Sequence, residues 1–314
     1  MDARTLTHSV VFFALAIVAL CTQSLFVGNY PLVCLCLVMT VGVSHGALDY
    51  VKGRAVLKTF ERSQIRTFYF AYVAFACLII AAWRLSPVAL LTIFLLIAAY
   101  HFGKEDSEFV PGAQQGLGRL LYLAKGIAVI VAPLAFNPQA TEVIFQSLNM
   151  TVIEIFSVHV CASLLVLSFV SNLILGARCR RSTLTLLLDF TSILVLNWAL
   201  HPLVAFCFYF CFLHSIRHSM ELMGSMHGRA SERLITFIRK TLPLTCVTGV
   251  IFALALYGLL INFSLDDSTN KVIFLGLAAL TFPHVILEYL FESRVVSSSD
   301  LGQSHFGGIS SQRV

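Results

Sequence analysis

Charged residues are scarce in this chain. Only 12% of its 314 residues are Asp, Glu, Lys or Arg, about half the share found in an average soluble domain. Hydrophobic residues make up 58% of the chain, and the mean hydropathy is +0.86. A water-soluble fold of this length needs more polar surface than these residues can supply. The composition therefore predicts an all-α, polytopic transmembrane helical bundle.

The chain also lacks a disulfide framework and a nucleic-acid-binding surface. Its nine cysteines are odd in number, lie almost entirely in apolar runs and include no C-x-x-C pair, so neither disulfides nor a cysteine-rich metal site is expected. Cys207 and Cys211 are four residues apart and are interpreted as small packing residues. No basic stretch is interleaved with aromatic residues, so no nucleic-acid partner is expected.

The chain consists largely of long apolar runs. A transmembrane helix needs about 20 mostly apolar residues, and the sequence predicts ten of them. Eight or nine helices is the alternative count, because the fourth and seventh segments are short and only His201-Pro202 divides the seventh from the eighth. The first segment lacks a small-x-small cleavage site and is interpreted as a retained helix. The predicted segments are 8–27, 31–51, 66–84, 86–102, 118–136, 150–175, 183–200, 202–223, 242–263 and 271–292.

These segments predict one transmembrane domain, residues 1–294, followed by a flexible Ser/Gly-rich cytoplasmic tail, residues 295–314. Ten segments place every basic loop on one side of the membrane, whereas the other side carries only Arg84 and Lys271. The positive-inside rule then predicts a multi-pass inner-membrane protein with both termini in the cytoplasm. The residues on the basic side are Arg4, Lys52, Arg54, Lys58, Arg62, Arg66, Lys104, Arg119, Arg178, Arg180, Arg181, Arg229, Arg233, Arg239, Lys240 and Arg294.

Histidines are concentrated in the even-numbered segments. These segments all run in the same direction, and five histidines fall in their second halves, so we expect them to share one depth in the membrane. Ionisable groups inside a membrane cost about 2.5–3.5 kcal/mol at mid-helix on insertion scales and persist where they face the interior and find partners. The five are His45, His101, His214, His218 and His284.

Three spacings sharpen this pattern. His45 and Asp49, His214 and His218, and His284 and Glu288 are each four residues apart. On a helix, residues i and i+4 lie on the same face. Each pair can therefore present two polar groups to one point inside the bundle, where a metal ion would satisfy several imidazoles at once.

The residue types narrow the metal chemistry. Neutral imidazole suits Zn, Cu, Fe and Ni. The run H-S-I-R-H, residues 214–218, lacks the glutamate of H-E-x-x-H, which disfavours a zinc peptidase. Imidazoles that converge in a dry cavity suit a redox metal that handles oxygen and an apolar substrate. Asp49 and Glu288 would then fix imidazole tautomers or act as additional ligands.

The other polar and aromatic residues receive ordinary interpretations. His159 and His201 have no partner pattern and are interpreted as hydrogen-bonding groups. Asp106 and Glu108 are interpreted as the solvated start of a loop. The phenylalanines of F-C-F-Y-F-C-F, residues 206–212, either pack or line an apolar substrate tunnel. The histidines expected in solvent are His8, His227 and His305.

Two other classes of function fit a membrane protein with several histidines. A proton- or ion-coupled transporter would use His, Asp and Glu as a relay, but it requires polar groups in both leaflets. A haem-binding electron-transfer protein would use paired axial histidines and would show a Soret band.

Four stretches resemble a known family. S-H-G-A-L-D-Y (44–50), A-Y-H-F-G-K-E-D (99–106), F-C-F-Y-F-C-F-L-H-S-I-R-H (206–218) and F-P-H-V-I-L-E-Y (282–289) resemble the Brp/Blh family of membrane β-carotene 15,15′-dioxygenases. The similarity extends from the second segment to the tenth. One departure is Tyr50, where the family often has histidine.

The resemblance implies an activity and a cofactor. The family cleaves the central double bond of β-carotene with O₂ to give two molecules of all-trans-retinal, and is regarded as using Fe(2+) bound by histidines. No protein acid or nucleophile is required. The family's histidines fall on His45, His101, His214 and His218, and a further family motif contains His284.

The same resemblance implies partners. β-Carotene, O₂ and membrane lipid are expected, together with a functional link to a retinal-binding rhodopsin. An oxygenase that acts on another carotenoid or isoprenoid is the alternative within this class of enzyme.

Overall fold

The computed structural model describes residues 3–22, 30–44, 46–59, 64–110, 118–151, 156–177 and 179–296. His45, His305 and nearly all of the predicted tail lie outside these residues. The described part of the chain is helical and contains no strand. Ten of its helical stretches are long and apolar enough to cross a membrane, so the all-α, multi-pass prediction and the count of ten are confirmed.

Thirteen α-helices are found in the described residues, joined in places by π-helical and 3₁₀ segments. The π-helical segments are Val38–Gly42, Tyr209–Ser215 and Glu292–Val296, and the 3₁₀ segment is Gly46–Leu48. The α-helices are α1 Ala3–Cys21, α2 Tyr30–Leu37, α3 Asp49–Thr59, α4 Ile65–Leu85, α5 Pro87–Glu105, α6 Gly118–Phe136, α7 Pro138–Ser147, α8 Val158–Gly176, α9 Arg180–Ala199, α10 Pro202–Phe208, α11 Ile216–Gly224, α12 Ala230–Leu259 and α13 Leu265–Phe291.

The helix ends differ from the predicted segments where polar residues form the first turn. Helix α12 begins at Ala230 rather than 242, and α13 begins at Leu265 rather than 271. Glu232 accepts a hydrogen bond from the Arg229 backbone N–H, and the Ser264 hydroxyl accepts one from the Asp267 N–H. Such caps extend a helix through residues that hydropathy does not count as membrane-spanning. The short helix α7 was not predicted.

Helices α5 and α6 approach each other closely at two glycines. A Cβ added to Gly103 would lie 1.8 Å from the Tyr122 carbonyl oxygen, and one added to Gly126 would lie 1.8 Å from the Ala99 carbonyl oxygen. Small residues allow membrane helices to pack backbone against backbone. This contact fixes the C-terminal half of α5, which carries His101.

The span Pro202–Gly224 is the central helix of the bundle. It comprises α10, the π-helical segment Tyr209–Ser215 and α11, and 72% of the residues in its most apolar window are buried. The two π-helical segments at this level touch: the Ser215 hydroxyl donates to the Gly42 carbonyl at 3.1 Å. A Cβ on Gly42 would lie 2.5 Å from a Phe210 ring carbon, so only glycine permits this contact.

Candidate metal centre

Helix α5 brings a histidine and two carboxylates to one end of the bundle. The helix extends past its predicted end to Glu105, so His101 and Glu105 lie four residues apart on one face. Asp106 follows directly as the C-cap residue. All three are at least 90% buried. The prediction that Asp106 begins a solvated loop is therefore wrong, although Glu108 is exposed.

The central span contributes two more histidines. His214 lies near the end of the π-helical segment, and His218 lies in α11. Both rings are buried. π-Helical turns are rare and frequently occur at functional sites, because the wider turn re-aims the side chains that follow it.

Helix α13 contributes the fourth histidine. His284 follows Pro283, which lacks a backbone N–H and so interrupts the helix hydrogen bonding at this level. His284 Nδ1 lies 2.9 Å from both carboxylate oxygens of Asp49, the first residue of α3. Asp49 therefore pairs with a histidine from a distant part of the sequence.

The four imidazole rings converge. The centroids of the His101 and His214 rings are 5.2 Å apart, as are those of His101 and His284. The His218 and His284 centroids are 6.3 Å apart. His101 thus lies between rings from the central span and from α13.

Carboxylates contact the Nδ1 atoms of three of these rings. His214 Nδ1 lies 3.2 Å from Asp106, His218 Nδ1 lies 3.1 Å from Glu105, and His284 Nδ1 lies 2.9 Å from Asp49. His218 and Glu105 are close enough for an ion pair. An ionised carboxylate can only accept a hydrogen bond, so Nδ1 carries the proton in the hydrogen-bonded pairs of His214 and His284. The lone pair of each neutral ring is then on Nε2. Histidines that bind metals almost always have such an outer partner on the second nitrogen.

Asp106 is held as a carboxylate by its surroundings. Burial raises its pKa, but the contact with His214 and the positive charges of Lys125 and Arg217 outweigh burial and place the pKa well below its usual range. The Tyr209 hydroxyl also donates to Asp106, at 2.7 Å. Asp106 is thus ionised at neutral pH and can fix the orientation of the His214 ring.

Arg217, next to His218 in the chain, is held in place by hydrogen bonds from its guanidinium. Its guanidinium donates to both oxygens of Asp189, at 2.7 and 3.0 Å, and to the Ser9 hydroxyl at 2.8 Å. A bidentate Arg–carboxylate pair has a fixed geometry. Sequence reasoning missed this arginine, together with Glu105 and Tyr209. The lone arginine inside H-S-I-R-H was the available signal, because a buried charge needs a partner.

A second grouping surrounds His284. Asp49, His284 and Glu288 are buried and each places one candidate ligand atom within 4.8 Å of the others. Glu288, however, forms an ion pair with Lys52, and Asp49 accepts a hydrogen bond from the Tyr72 hydroxyl at 3.0 Å. These oxygens already neutralise nearby groups. Among the described residues, no three of the four imidazoles place ligand atoms this close to one another. His284 belongs to both groupings, and the four rings would have to move closer for their Nε2 atoms to share one ion.

The described residues around the histidines carry both negative and positive charges. Glu288 is neutralised by Lys52, and Asp189 by Arg217. Asp49, Glu105 and Asp106 contact imidazoles, which carry no charge when their Nε2 atoms act as ligands. Lys104 lies 3.8 Å from Glu105, and Lys125 and Arg217 lie near Asp106, so a bound cation would add to positive charge that is already there. Nitrogen donors backed by carboxylates suit a transition metal such as iron.

The structure therefore brings together His101, His214, His218 and His284. The predicted ligand His45 lies outside the described residues. Whether these histidines bind metal stays a prediction.

The remaining histidines are elsewhere. His159 and His227 are exposed, and His201 accepts a hydrogen bond from the Leu203 N–H at 3.3 Å. His8, predicted to be solvated, is instead half-buried, and its Nε2 lies 2.9 Å from the Phe212 carbonyl oxygen.

An apolar cleft lies beside this cluster, although no histidine is among the described residues that line it. It encloses about 750 Å³ counting its open mouth, and the polar side chains among those lining residues are Thr141 and Thr281. Phe102 and Phe210 line its inner end, with ring centroids 4.8 and 5.8 Å from that of His214. The full lining is Leu91, Phe94, Leu95, Ala98, Phe102, Val129, Ile130, Pro133, Thr141, Ile144, Phe145, Leu148, Pro202, Phe206, Phe210, Phe274, Leu277 and Thr281.

Helix geometry explains why the cleft lies beside the histidines. Ala98 lies three residues before His101, Phe210 four before His214, and Thr281 three before His284. Residues three or four apart share a helix face. The inner end of the cleft is thus built from residues one turn before the clustered histidines.

Comparison with known proteins identifies the family. A family model described as Beta-carotene 15,15′-dioxygenase matches residues 36–292. A protein named Beta-carotene 15,15′-dioxygenase, from an uncultured marine bacterium (66A03), is 26% identical over 259 residues, covering 82% of this chain and 92% of the relative. No solved structure matches the chain. The resemblance seen in the four motifs is confirmed, and the chain belongs to the β-carotene 15,15′-dioxygenase family.

Proposed function

We propose that this protein is an iron-dependent dioxygenase that cleaves the central 15,15′ double bond of β-carotene to two molecules of all-trans-retinal. One observation carries the proposal: an apolar cleft lies beside a cluster of buried imidazoles, and the Phe102 ring lines the cleft and contacts the His214 ring. The family and its named relative support carotene cleavage. A hydrocarbon dissolved in the bilayer needs such an apolar route to a metal.

The proposed iron ligands are the Nε2 atoms of His101, His214, His218 and His284, together with His45 from the adjoining stretch of chain. When bound, ferrous iron supplies the electrons that activate dioxygen. Asp106, Glu105 and Asp49 hold the protons on Nδ1, which keeps each Nε2 available as a ligand and fixes each ring's orientation.

The cleft positions the polyene. The Phe206 and Phe210 rings are stacked, with centroids 5.6 Å apart and planes within 8°, and both face the cleft. Flat conjugated chains pack well against such rings. The cleft would hold the hydrocarbon with its central bond beside His214 and exclude water from the reacting atoms.

Substrate range distinguishes close alternatives. The same lining would accept other apolar carotenoids or isoprenoids, so substrates of different length and ring structure need to be compared. A transporter is disfavoured, because the cleft supplies only two hydroxyls along its length and an ion requires a continuous polar path.

The direct test is expression in a host that accumulates β-carotene. We expect the wild-type protein to consume carotene and release retinal, and the purified protein to contain about one iron per chain without a Soret band. The matched control is His214→Ala, which should be present in the membrane but inactive. An iron-loaded wild-type protein that leaves β-carotene intact would overturn the substrate assignment, and products of unequal length would overturn central cleavage.

The proposed setting follows from the basic loops. An inner-membrane location with both termini in the cytoplasm would place the histidine cluster near the cytoplasmic face. Retinal released there would supply a retinal-binding protein such as a rhodopsin, and this link stays a prediction. Protease accessibility of a tag on either terminus in intact and opened cells would test the orientation.

A further inference from the structure

Thr281 is the polar side chain at the inner end of the cleft. The other polar lining residue, Thr141, is in α7, a different element. Thr281 lies in α13, three residues before His284 and so on the same face of that helix. Its hydroxyl therefore lies in the lining of the apolar cleft, about one helical turn from His284.

Many helical threonine hydroxyls in this protein bond to their own helix, whereas those of Thr245 and Thr269, like that of Thr281, do not. Thr141 Oγ1 donates to the Asn137 carbonyl at 2.7 Å, Thr92 Oγ1 to the Val88 carbonyl at 2.8 Å, and Thr241 Oγ1 to the Phe237 carbonyl at 3.0 Å. Such bonds to the carbonyl one turn earlier are the usual way to satisfy a threonine inside a helix. Thr281 forms no hydrogen bond with any of the residues that the structure describes.

Thr281 is partly exposed and lines the cleft, so its hydroxyl is accessible to a ligand there. A hydroxyl without a hydrogen-bond partner is unfavourable among apolar groups, whereas a valine would fill the same volume without a polar atom. The hydroxyl of Thr281 could therefore bond to a polar group that enters or forms in the cleft. β-Carotene is a hydrocarbon and has no acceptor for it.

The reaction itself creates the acceptor. Under the proposed function, the central C=C bond and the O–O bond break, two C=O bonds form, and each oxygen atom of O₂ ends in one aldehyde. No proton is gained or lost. An aldehyde oxygen therefore arises at the end of the cleft that Thr281 lines. Interactions that are stronger in the transition state than in the bound substrate accelerate a reaction, and a hydrogen bond to the partly formed C=O group is of this kind.

We propose that Thr281 is a catalytic residue whose hydroxyl donates a hydrogen bond to the oxygen of the aldehyde as it forms. This inference rests on the proposed function and adds a recognition group for the product to it. A neutral hydrogen bond contributes about 0.5–1.5 kcal/mol, so Thr281→Val should lower kcat by about two- to tenfold. KM for β-carotene should not change, because the substrate does not use the hydroxyl.

Measurements of product binding distinguish a hydrogen-bonding role of Thr281 from a packing role of the same side chain. The full-length, iron-loaded protein is titrated without oxygen with all-trans-retinal and, separately, with β-carotene. Thr281→Val should weaken retinal binding by about two- to tenfold and leave β-carotene binding unchanged. Thr281→Ser, which keeps the hydroxyl, should retain retinal affinity. Thr92→Val, which removes a hydroxyl from α5 outside the cleft, is the matched control and should bind both ligands as the wild type does.

The outcomes distinguish the two proposals. Wild-type protein that cleaves β-carotene, with Thr281→Val matching it in retinal affinity and kcat, overturns the role of Thr281 alone. Equal weakening of retinal and β-carotene binding also overturns it, because that pattern indicates a packing defect. Wild-type protein that does not cleave β-carotene overturns the proposed function instead, whatever Thr281→Val does.

Discussion

Two membrane spans that follow each other in the chain have opposite surroundings. In their most apolar windows, 72% of the residues in Pro202–Gly224 are buried, against 11% in α12. The first carries His214, Arg217 and His218, whereas α12 exposes residues such as Val247, Val250 and Ile251. Because lipid solvates apolar side chains, α12 needs no specific partner along most of its length.

Pro202–Gly224 is the less apolar of these two spans and lies at the centre of the bundle. The windows of Pro202–Gly224 and α12 have mean hydropathies of 1.2 and 2.0. Polar groups in a membrane must face protein, so a lower hydropathy within a clearly membrane-spanning helix indicates an interior position. The comparison predicts that substitutions around the central span affect activity and folding, while matched changes on lipid-facing surfaces do not.

The largest effect is expected from His284→Ala. If His284 is a ligand, its loss should lower both iron content and retinal formation by more than about a hundredfold, the upper end of what outer partners contribute. His159→Ala removes an exposed histidine from α8 and should change neither. Iron measured by elemental analysis and retinal measured by chromatography test this. Full iron occupancy in His284→Ala would restrict the ligands to the other histidines.

A backbone contact gives the next largest effect. Gly103→Ala would force α5 away from α6, because the new Cβ would lie 1.8 Å from the Tyr122 carbonyl. Overpacking of this kind costs about 1–3 kcal/mol. Gly249→Ala in α12 meets nothing within 4 Å and should be neutral or slightly stabilising through helix propensity. Thermal unfolding in detergent compares the two, and equal melting temperatures would show that the helices can separate freely.

Asp106→Asn should have a smaller effect on the site. The amide cannot accept from His214 and Tyr209 as the carboxylate does, so the favoured tautomer and orientation of His214 are lost. We expect iron affinity to fall by about 10- to 100-fold. Asp266→Asn, an exposed change in the first turn of α13, is the control. Competition with a chelator measures the affinity, and an unchanged value would remove Asp106 from the site.

The smallest effect is expected from Glu108, at the surface beyond α5. Burial, followed by the negative charges of Glu105 and Glu221, raises its pKa from 4.5 to about 8. The raised pKa means that the folded protein favours the neutral acid. Its contribution to stability is full below pH 4.5 and is lost as the pH rises through about 8.

Glu108→Gln tests this titration. The melting temperature of the wild type should fall slightly between about pH 4.5 and 8, and this fall should be absent in the variant. The slope is expected to be small because the side chain is partly exposed. Identical pH profiles for Glu108→Gln and wild type would contradict the raised pKa.

Much of the fold was predictable because lipid imposes one simple rule. A span must be apolar and long, and hydropathy detects both properties, so all ten spans were found. Capped starts such as those of α12 and α13 were missed because their first turns are polar. Helix α7 was missed because ten residues are too few to register as a span.

The types of residue at the site could be predicted from the sequence. Which of these residues contact one another was harder to predict. Spacing of four suggested that Asp49 serves His45 and that Glu288 serves His284, whereas Asp49 pairs with His284 and Glu288 with Lys52. Local spacing describes one helix only, and these partners come from different helices. Glu105 and Asp106 were missed because their burial depends on the close packing of α5 against α6.

The π-helical turn in the central span has an evolutionary consequence. Phe206, Phe210, His214 and His218 are spaced by four, and a regular α-helix turns 100° per residue, so each step would drift by about 40°. The wider turn of Tyr209–Ser215 holds more residues and offsets this drift. A π turn is in effect one residue inserted into an α-helix. The geometry of the site therefore depends on how many residues this turn contains as well as on which residues they are. Losing one residue here would rotate His218 by about 100° relative to the aromatic rings before it.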